Sequence, residues 1–119
     1  MIRNIESILN IYNYFDGIIV TDKKGIINYY VNFRTDIYNL RLNQIIGKSI
    51  LEIHPELKEE DSTIMQVLKT GQPIYDRIEH LTTPHGDCMT NLCSTLPILE
   101  NGEIVGAIDL SRGIDSDVQ

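Results

Sequence analysis

The chain has 119 residues, 42% hydrophobic and 23% charged, which is the composition of one globular domain rather than of a disordered segment. Its 17 acidic residues outnumber the 10 basic ones, and the net charge of −7 argues against direct binding of nucleic acid by this domain. Two cysteines are too few for a disulfide framework, and we find neither a membrane-spanning apolar run nor a signal peptide, so we expect a cytoplasmic domain without membrane contact.

The chain begins with an amphipathic segment, followed by a predicted β-hairpin. Apolar residues at steps of three and four predict a short helix within residues 1–15, with one face formed by Ile5, Ile8, Leu9 and Tyr12. Asp16 and Gly17 end that pattern. The β-rich runs 18–21 and 26–31 flank a turn at residues 22–25 that contains Gly25, which predicts two antiparallel strands.

The middle of the chain has a helical pattern. Residues 32–57 lose the β signal, and Gly47 and the His54-Pro55 pair interrupt any helix there. A longer helix is predicted after Asp61-Ser62, with an apolar stripe at Ile64, Val67 and Leu68. Gly71 and Pro73 then end it.

The rest of the chain predicts three more strands, over residues 74–82, 88–96 and 104–111, separated by turns at 83–86 and 100–102. Strands and helices do not alternate along the chain, so a parallel α/β fold is excluded. Two strands, a helical block and three strands predict an α+β fold in which short helices cover one face of a five-stranded antiparallel sheet.

These elements, in this order, resemble a PAS domain over nearly the whole chain. The resemblance is based on residues 17–22 and 25–27 in the first hairpin, 46–49 between the central helices, and 102–107 at the start of the last strand. It implies an N-terminal flanking helix at residues 1–15, the PAS domain at 16–113, and the start of a linker at 114–119.

A narrower resemblance lies in the C-terminal half, in residues 67–74, 94–98, 101–102 and 106–111. These segments are similar to the N-terminal sensory PAS domain of sigma-54-dependent transcriptional activators, near the arginine-utilisation regulators. In that group the PAS domain precedes an ATPase module and a DNA-binding module. The resemblance implies a sensor of a small metabolite, with a basic amino acid as the candidate ligand, that controls a downstream ATPase.

Two other functions are compatible with the same fold. The chain could be the sensor or dimerisation module of a histidine kinase or another signalling protein, or a scaffold that binds no ligand and only dimerises. An enzyme is the weakest interpretation, because the acidic neighbours Glu59-Glu60-Asp61 fit a solvated helix entry and nothing in the sequence predicts a lowered thiol pKa at Cys88 or Cys93.

We expect neither a cofactor nor a metal. His85 and Cys88 leave the paired spacings of a structural zinc site incomplete. The central helices contain no Cys of the kind that flavin photosensors of this fold use, and residues 61–70 contain no His of the kind that haem sensors use. Of the histidines, His54 is the one that remains a candidate haem ligand.

The candidate ligand site depends on which face of the last two strands points inward. Apolarity alone turns Ile108 and Leu110 inward and leaves Asp109 in water. A three-residue turn at 100–102 instead pairs Leu99 with Glu103, and places Thr95 opposite Ala107 and Cys93 opposite Asp109.

The PAS resemblance turns this small and polar face toward the cavity. A buried Asp109 then needs a cationic ligand, an ion pair with Arg77, or a raised pKa. The predicted ligand-binding residues are Asn91, Thr95, Asp109, Arg77, Tyr38 and Cys93.

The opposite, apolar face of the sheet then needs a cover. The resemblance implies that an N-terminal helix or a second subunit supplies it, so Ile5, Ile8, Leu9 and Tyr12 are the predicted interface of a homodimer.

Overall fold

The computed structural model describes residues 15–32, 45–55, 57–82 and 88–114. The described strands and helices confirm the predicted order of elements. The strands are β1 (Gly17–Asp22), β2 (Ile27–Asn32), β3 (Ile74–Thr82), β4 (Cys88–Glu100) and β5 (Glu103–Gly113). The helices are α1 (Ile50–Ile53) and α2 (Thr63–Thr70), with a 3-10 turn at Glu59–Asp61 between them.

The five strands form one antiparallel sheet in the order β2-β1-β5-β4-β3. The first and last strands therefore meet in the middle of the sheet, where β1 pairs with β5. Gly106 permits this pairing, because a Cβ atom at that position would lie 2.1 Å from the backbone oxygen of Thr21. The α+β class and the five-stranded sheet predicted from the sequence are confirmed.

Side-chain caps fix both helices. The Ser49 hydroxyl accepts from the backbone N–H of Leu51, and the Glu52 carboxylate accepts from the N–H of Ser49, which is a capping box. Ser62 caps α2 by accepting from the N–H of Met65. Gly71 ends α2 at φ +73°, a left-handed conformation that glycine adopts without steric cost.

The core lies between the helices and one face of the sheet. Its apolar members come from β2, α1, α2, β5 and the loop before α1, and they are Ile27, Ile45, Ile50, Ile53, Ile64, Val67 and Ala107. The stripe predicted for α2 is thus confirmed at Ile64 and Val67. Helix α2 packs on β4 and β5 because this face of the helix is apolar.

The β4–β5 hairpin differs from the predicted register. Its turn has two residues, Asn101 and Gly102, both at positive φ, and Glu100 pairs with Glu103. A β-bulge at Val105 then adds one residue to β5, so that Thr95 lies opposite Asp109. The predicted pairs, Thr95 with Ala107 and Cys93 with Asp109, were therefore wrong by two residues.

The outer face of the sheet bears half-buried apolar side chains from β1, β4 and β5, namely Ile18, Val20, Leu92, Leu96, Ile108 and Leu110. The predicted covering helix at residues 1–15, with Ile5, Ile8, Leu9 and Tyr12, lies outside the described residues except for Phe15. Within the part of the chain that the structure describes, no helix is long and apolar enough to span a membrane.

Candidate ligand-binding site

A cavity lies between the helices and the inner face of the sheet. About 670 Å³ of space free of atoms lies there, including the part that opens to solvent. One side is apolar and is lined by isoleucines from β1, β2 and both helices, which are Ile19, Ile27, Ile50, Ile53 and Ile64. A nonpolar part of a ligand would lie against this side.

The other side of the cavity is polar and acidic. Its lining side chains come from β3, β4, β5, α2 and the end of α1, and they are Glu79, Asn91, Asp109, Ser111, Thr63 and His54. No Lys or Arg is among the described residues that line the cavity. This end therefore favours a cationic group over an anionic one.

The inward position of Asp109 depends on the bulge in β5. Opposite residues of an antiparallel pair lie on the same face, so a two-residue turn without a bulge would place Asp109 opposite Ser94, on the outer face. The extra residue Val105 moves Asp109 opposite Thr95 and places both on the inner face. Asp109 is 7% exposed there.

Glu79 reaches the cavity through a second bulge, in β3. Regular alternation from Ile74 would turn Ile78 inward and Glu79 outward. The pairing register shifts between Ile74 and Arg77, and Asp76 has a positive φ of +52° within that shift. Glu79 consequently lies opposite Asn91 on the inner face, and Ile78 is 56% exposed on the outer face.

A chain of close oxygen–oxygen contacts links the two carboxyl groups. Oγ1 of Thr95 lies 2.6 Å from Oδ1 of Asp109 and 2.9 Å from Oγ1 of Thr63. Oγ1 of Thr63 lies 3.2 Å from Oε1 of Glu79. Because Thr63 is the first residue of α2, the chain connects three strands of the sheet to that helix.

The electrostatics of this end favour protonated groups. The pKa of Asp109 is raised to about 7: burial raises it most, the hydrogen bond from Thr95 lowers it, and the negative charge of Glu79 raises it. Burial also raises the pKa of the Cys93 thiol, and the charges of Asp109 and Glu79 act in the same direction. Cys93 is therefore a thiol that donates a hydrogen bond to Glu79.

The structure brings some of the predicted ligand-binding residues to the cavity and not others. Asn91 and Asp109 line it. Thr95 and Cys93 are buried on the same face beside them, where they contact the carboxyl groups rather than the open space. Tyr38 lies outside the described residues.

Arg77 requires a correction. It lies opposite Cys93, on the face of the sheet that was predicted, but its side chain is exposed and it is not among the residues that line the cavity. The hydrogen-bond partner of Asp109 is Thr95, and its nearby charge is that of Glu79. Of the three alternatives stated for a buried Asp109, the structure therefore shows the raised pKa and not the ion pair with Arg77.

Several lining residues were missed from the sequence. Glu79 was not predicted because the bulge at Asp76 leaves no pattern that marks it, since Ile78 is the apolar residue expected inward. His54 is buried and lines the cavity, and its position before Pro55 was the available signal. In the described ranges, no group of three or more His, Cys, Asp and Glu lies close enough to hold a metal.

Comparison with known families identifies the fold. The family described as the PAS fold matches residues 14–116, which is most of the chain. The chain belongs to the PAS family. The cavity between sheet and helices is thus the interior of a PAS domain, and the resemblance stated from the sequence is confirmed.

One relative of this chain is a transcriptional activator. The transcriptional activator RocR of Bacillus subtilis is 26% identical over 98 residues, which cover 82% of this chain. The match spans only 21% of RocR, so it concerns one part of that protein. PAS domains are sensory modules.

Solved structures agree with the PAS fold. The PAS domain of a protein from Colwellia psychrerythraea has a TM-score of 0.68 and 21% identity, covering 90% of this chain and 96% of that one. The PAS domain of nitrogen regulation protein NR(II) from Vibrio parahaemolyticus has a TM-score of 0.63 and 17% identity, covering 82% and 88%. At these identities the likeness shows the fold alone.

Proposed function

We propose that this PAS domain is the sensory input of a sigma-54-dependent bacterial transcriptional regulator, and that it binds a small metabolite with a cationic group. The observation that supports this most is a cavity whose lining combines two carboxyl groups with several isoleucines. Burying Asp109 without a cationic partner costs free energy, which a bound ammonium or guanidinium group would offset.

The basic amino acid expected from the resemblance fits these two sides. Its side-chain cation would lie between Asp109 and Glu79, and its methylene groups would contact Ile19 and Ile27. Asn91 offers an amide N–H and His54 a ring nitrogen to the carboxylate of the ligand. Binding would then change contacts between the sheet and α2, and so bias a downstream ATPase.

Calorimetric titration of the 119-residue chain tests this function. We expect heat with L-arginine or L-ornithine and none with L-norvaline, which lacks the side-chain cation. Asp109→Asn and Glu79→Gln should each weaken binding about tenfold, the effect of losing a hydrogen bond to a charged group. Glu103→Gln, an exposed site in the hairpin, is the matched control and should bind normally.

The absence of heat with both cationic amino acids would contradict this ligand class. Equal binding of norvaline would contradict the role of the carboxyl groups. Either result would favour the sensor or dimerisation module of another signalling protein that uses the same fold.

We also propose that the domain forms a homodimer through Ile5, Ile8, Leu9 and Tyr12. The apolar outer face of the sheet supports this, because an adjoining helix or subunit would remove it from water. Light scattering of Leu9→Asp should give a smaller mass than the parent chain, whereas the control Asn10→Asp should not. An unchanged mass for Leu9→Asp would contradict this interface.

A further inference from the structure

The contacts between Asp109 and Glu79 allow their protons to be counted. Three oxygen–oxygen contacts of 2.6, 2.9 and 3.2 Å join four side chains: Asp109, Thr95, Thr63 and Glu79. Each threonine hydroxyl has one proton, so the two hydroxyls can supply only two of the three hydrogen bonds. The third proton must come from a carboxyl group.

If both carboxyl groups were ionised, Thr95 would donate to Asp109 and Thr63 would donate to Glu79. The two threonine oxygens, 2.9 Å apart, would then face each other with no proton between them. One protonated carboxyl group removes this repulsion and completes all three hydrogen bonds. Burial of the four linked side chains therefore favours the singly protonated state.

The surroundings indicate which carboxyl group holds the proton. Glu79 is also the acceptor of the Cys93 thiol, so it receives two hydrogen bonds as a carboxylate. Asp109 then donates to Thr95, Thr95 to Thr63, and Thr63 to Glu79. The raised pKa of Asp109 agrees with this direction.

We infer that Asp109 and Glu79 share one proton through the hydroxyls of Thr95 and Thr63, and that a cationic ligand displaces this proton into the solvent. The displacement rests on the proposed function, whereas the sharing rests on the contacts alone. Among the described residues, the other titratable groups around the pair are His54 after α1 and Tyr30 on β2, which also line the cavity, buried Cys93 on β4, and Arg77, which lies opposite Cys93 with an exposed side chain.

Loss of the proton has a structural consequence at α2. With a cation between two carboxylates, each threonine donates to its own carboxylate, and the hydrogen bond between Thr95 and Thr63 is lost. That bond joins β4 to the first residue of α2. The ligand therefore weakens one link between the sheet and the helix, which gives the sensor a way to signal binding.

Carboxyl-carbon NMR of the 119-residue chain tests the shared proton. The Asp109 resonance, assigned by its loss in Asp109→Asn, is followed through a pH titration in the parent and in Thr63→Val. Valine removes the facing oxygen without altering charge, so both carboxyl groups can ionise without repulsion. We expect the Asp109 midpoint to fall by about one pH unit.

If the two carboxyl groups influenced each other only through charge, the opposite result is expected, because valine leaves the charges around Asp109 unchanged and makes its surroundings less polar. An unchanged or raised midpoint in Thr63→Val would therefore overturn the sharing. Thr63→Ser keeps the hydroxyl and should keep the parent midpoint. Thr63→Ala also removes the hydroxyl and has a smaller side chain, so it is the second variant to measure if valine disturbs the start of α2.

The displacement has its own measurement. Titration with L-arginine near pH 6, in two buffers of different ionisation enthalpy, should show release of about one proton for each arginine bound. Binding without proton release would overturn the displacement. If arginine does not bind at all, the proposed ligand class fails, and the Thr63→Val midpoint still decides whether the proton is shared.

Discussion

The isoleucine side of the cavity and its acidic end lie on the same sheet and helices, but they tolerate change differently. Ile27 and Ile50 are buried by apolar contact, which has no direction and no dependence on pH. Asp109 and Glu79 depend on specific oxygen contacts, on two β-bulges and on one proton. The apolar side therefore supplies stability, and the acidic end gives up part of it for recognition.

The largest expected effect is on the apolar side. Ile27 is 1% exposed, and Ile27→Ala should lower the free energy of unfolding by about 3 kcal/mol, through lost burial and the space left behind. Urea unfolding measures this loss, which should be equal at acid and neutral pH. The control Asn28→Ala changes an exposed residue and should have little effect. A loss that varies strongly with pH would contradict the contrast between the two sides.

Much of the fold was predictable from the sequence, because it depends on patterns that repeat. The stripe of α2, its serine cap and Gly71 were all placed correctly, and each rests on an interaction within a few residues. The inward face of β4 and β5 was also placed correctly under one of the two alternatives, since Asn91, Cys93 and Thr95 are all buried.

The acidic end was less predictable, because a bulge inserts one residue and reverses the alternation after it. The predicted three-residue turn and the observed two-residue turn plus bulge differ by two residues in register, so both place Asp109 inward. In β3 there was no such compensation. The bulge at Asp76 turned Glu79 inward and Ile78 outward, against the order that hydrophobicity favours.

The next largest effect is the gain in stability expected when the Asp109 carboxyl group is replaced by an amide. The pKa of Asp109 is raised from 3.8 to about 7, so the folded state holds the proton more tightly than the unfolded state does. The contribution of this bound proton to the free energy of unfolding is complete below about pH 4 and is lost as the pH rises through 7. A three-unit shift corresponds to about 4 kcal/mol, and the solvent-open cavity reduces our expectation to about 2 kcal/mol.

Asp109→Asn cannot ionise, so it should be more stable than the parent by that amount at pH 8 and equally stable near pH 4. Thermal or urea unfolding across this range measures the difference. Glu103→Gln is exposed and should give no such pH dependence. If Asp109→Asn were less stable than the parent at pH 8, the carboxylate would be a stabilising group and the contrast would be wrong.

A smaller effect is expected where α2 serves both sides of the cavity. Ser62 accepts from the backbone N–H of Met65 and thereby holds the start of the helix that bears Thr63 and Ile64. Ser62→Ala should cost about 1 kcal/mol in urea unfolding. Ser62→Thr keeps the hydroxyl acceptor without adding a charge and should recover part of the loss. Equal losses in both variants would mean that burial of Ser62, rather than its cap, is responsible.

The smallest perturbation compares the two cysteines without changing any residue. Cys88 is exposed, whereas Cys93 is 1% exposed beside the two carboxyl groups. Burial and the two acidic neighbours raise the pKa of the Cys93 thiol, and only a thiolate attacks a disulfide reagent. At pH 8 an aromatic disulfide should therefore modify Cys88 rapidly and Cys93 only as fast as the domain opens.

Two variants should change the rate at which Cys93 reacts. Ile27→Ala should speed the slow reaction by raising the population of the open state, while Asp109→Asn should slow it by lowering that population. Rapid modification of both thiols in the parent would show that water and reagent reach the acidic end freely, and a site that open would hold neither a buried carboxyl proton nor a cation by desolvation.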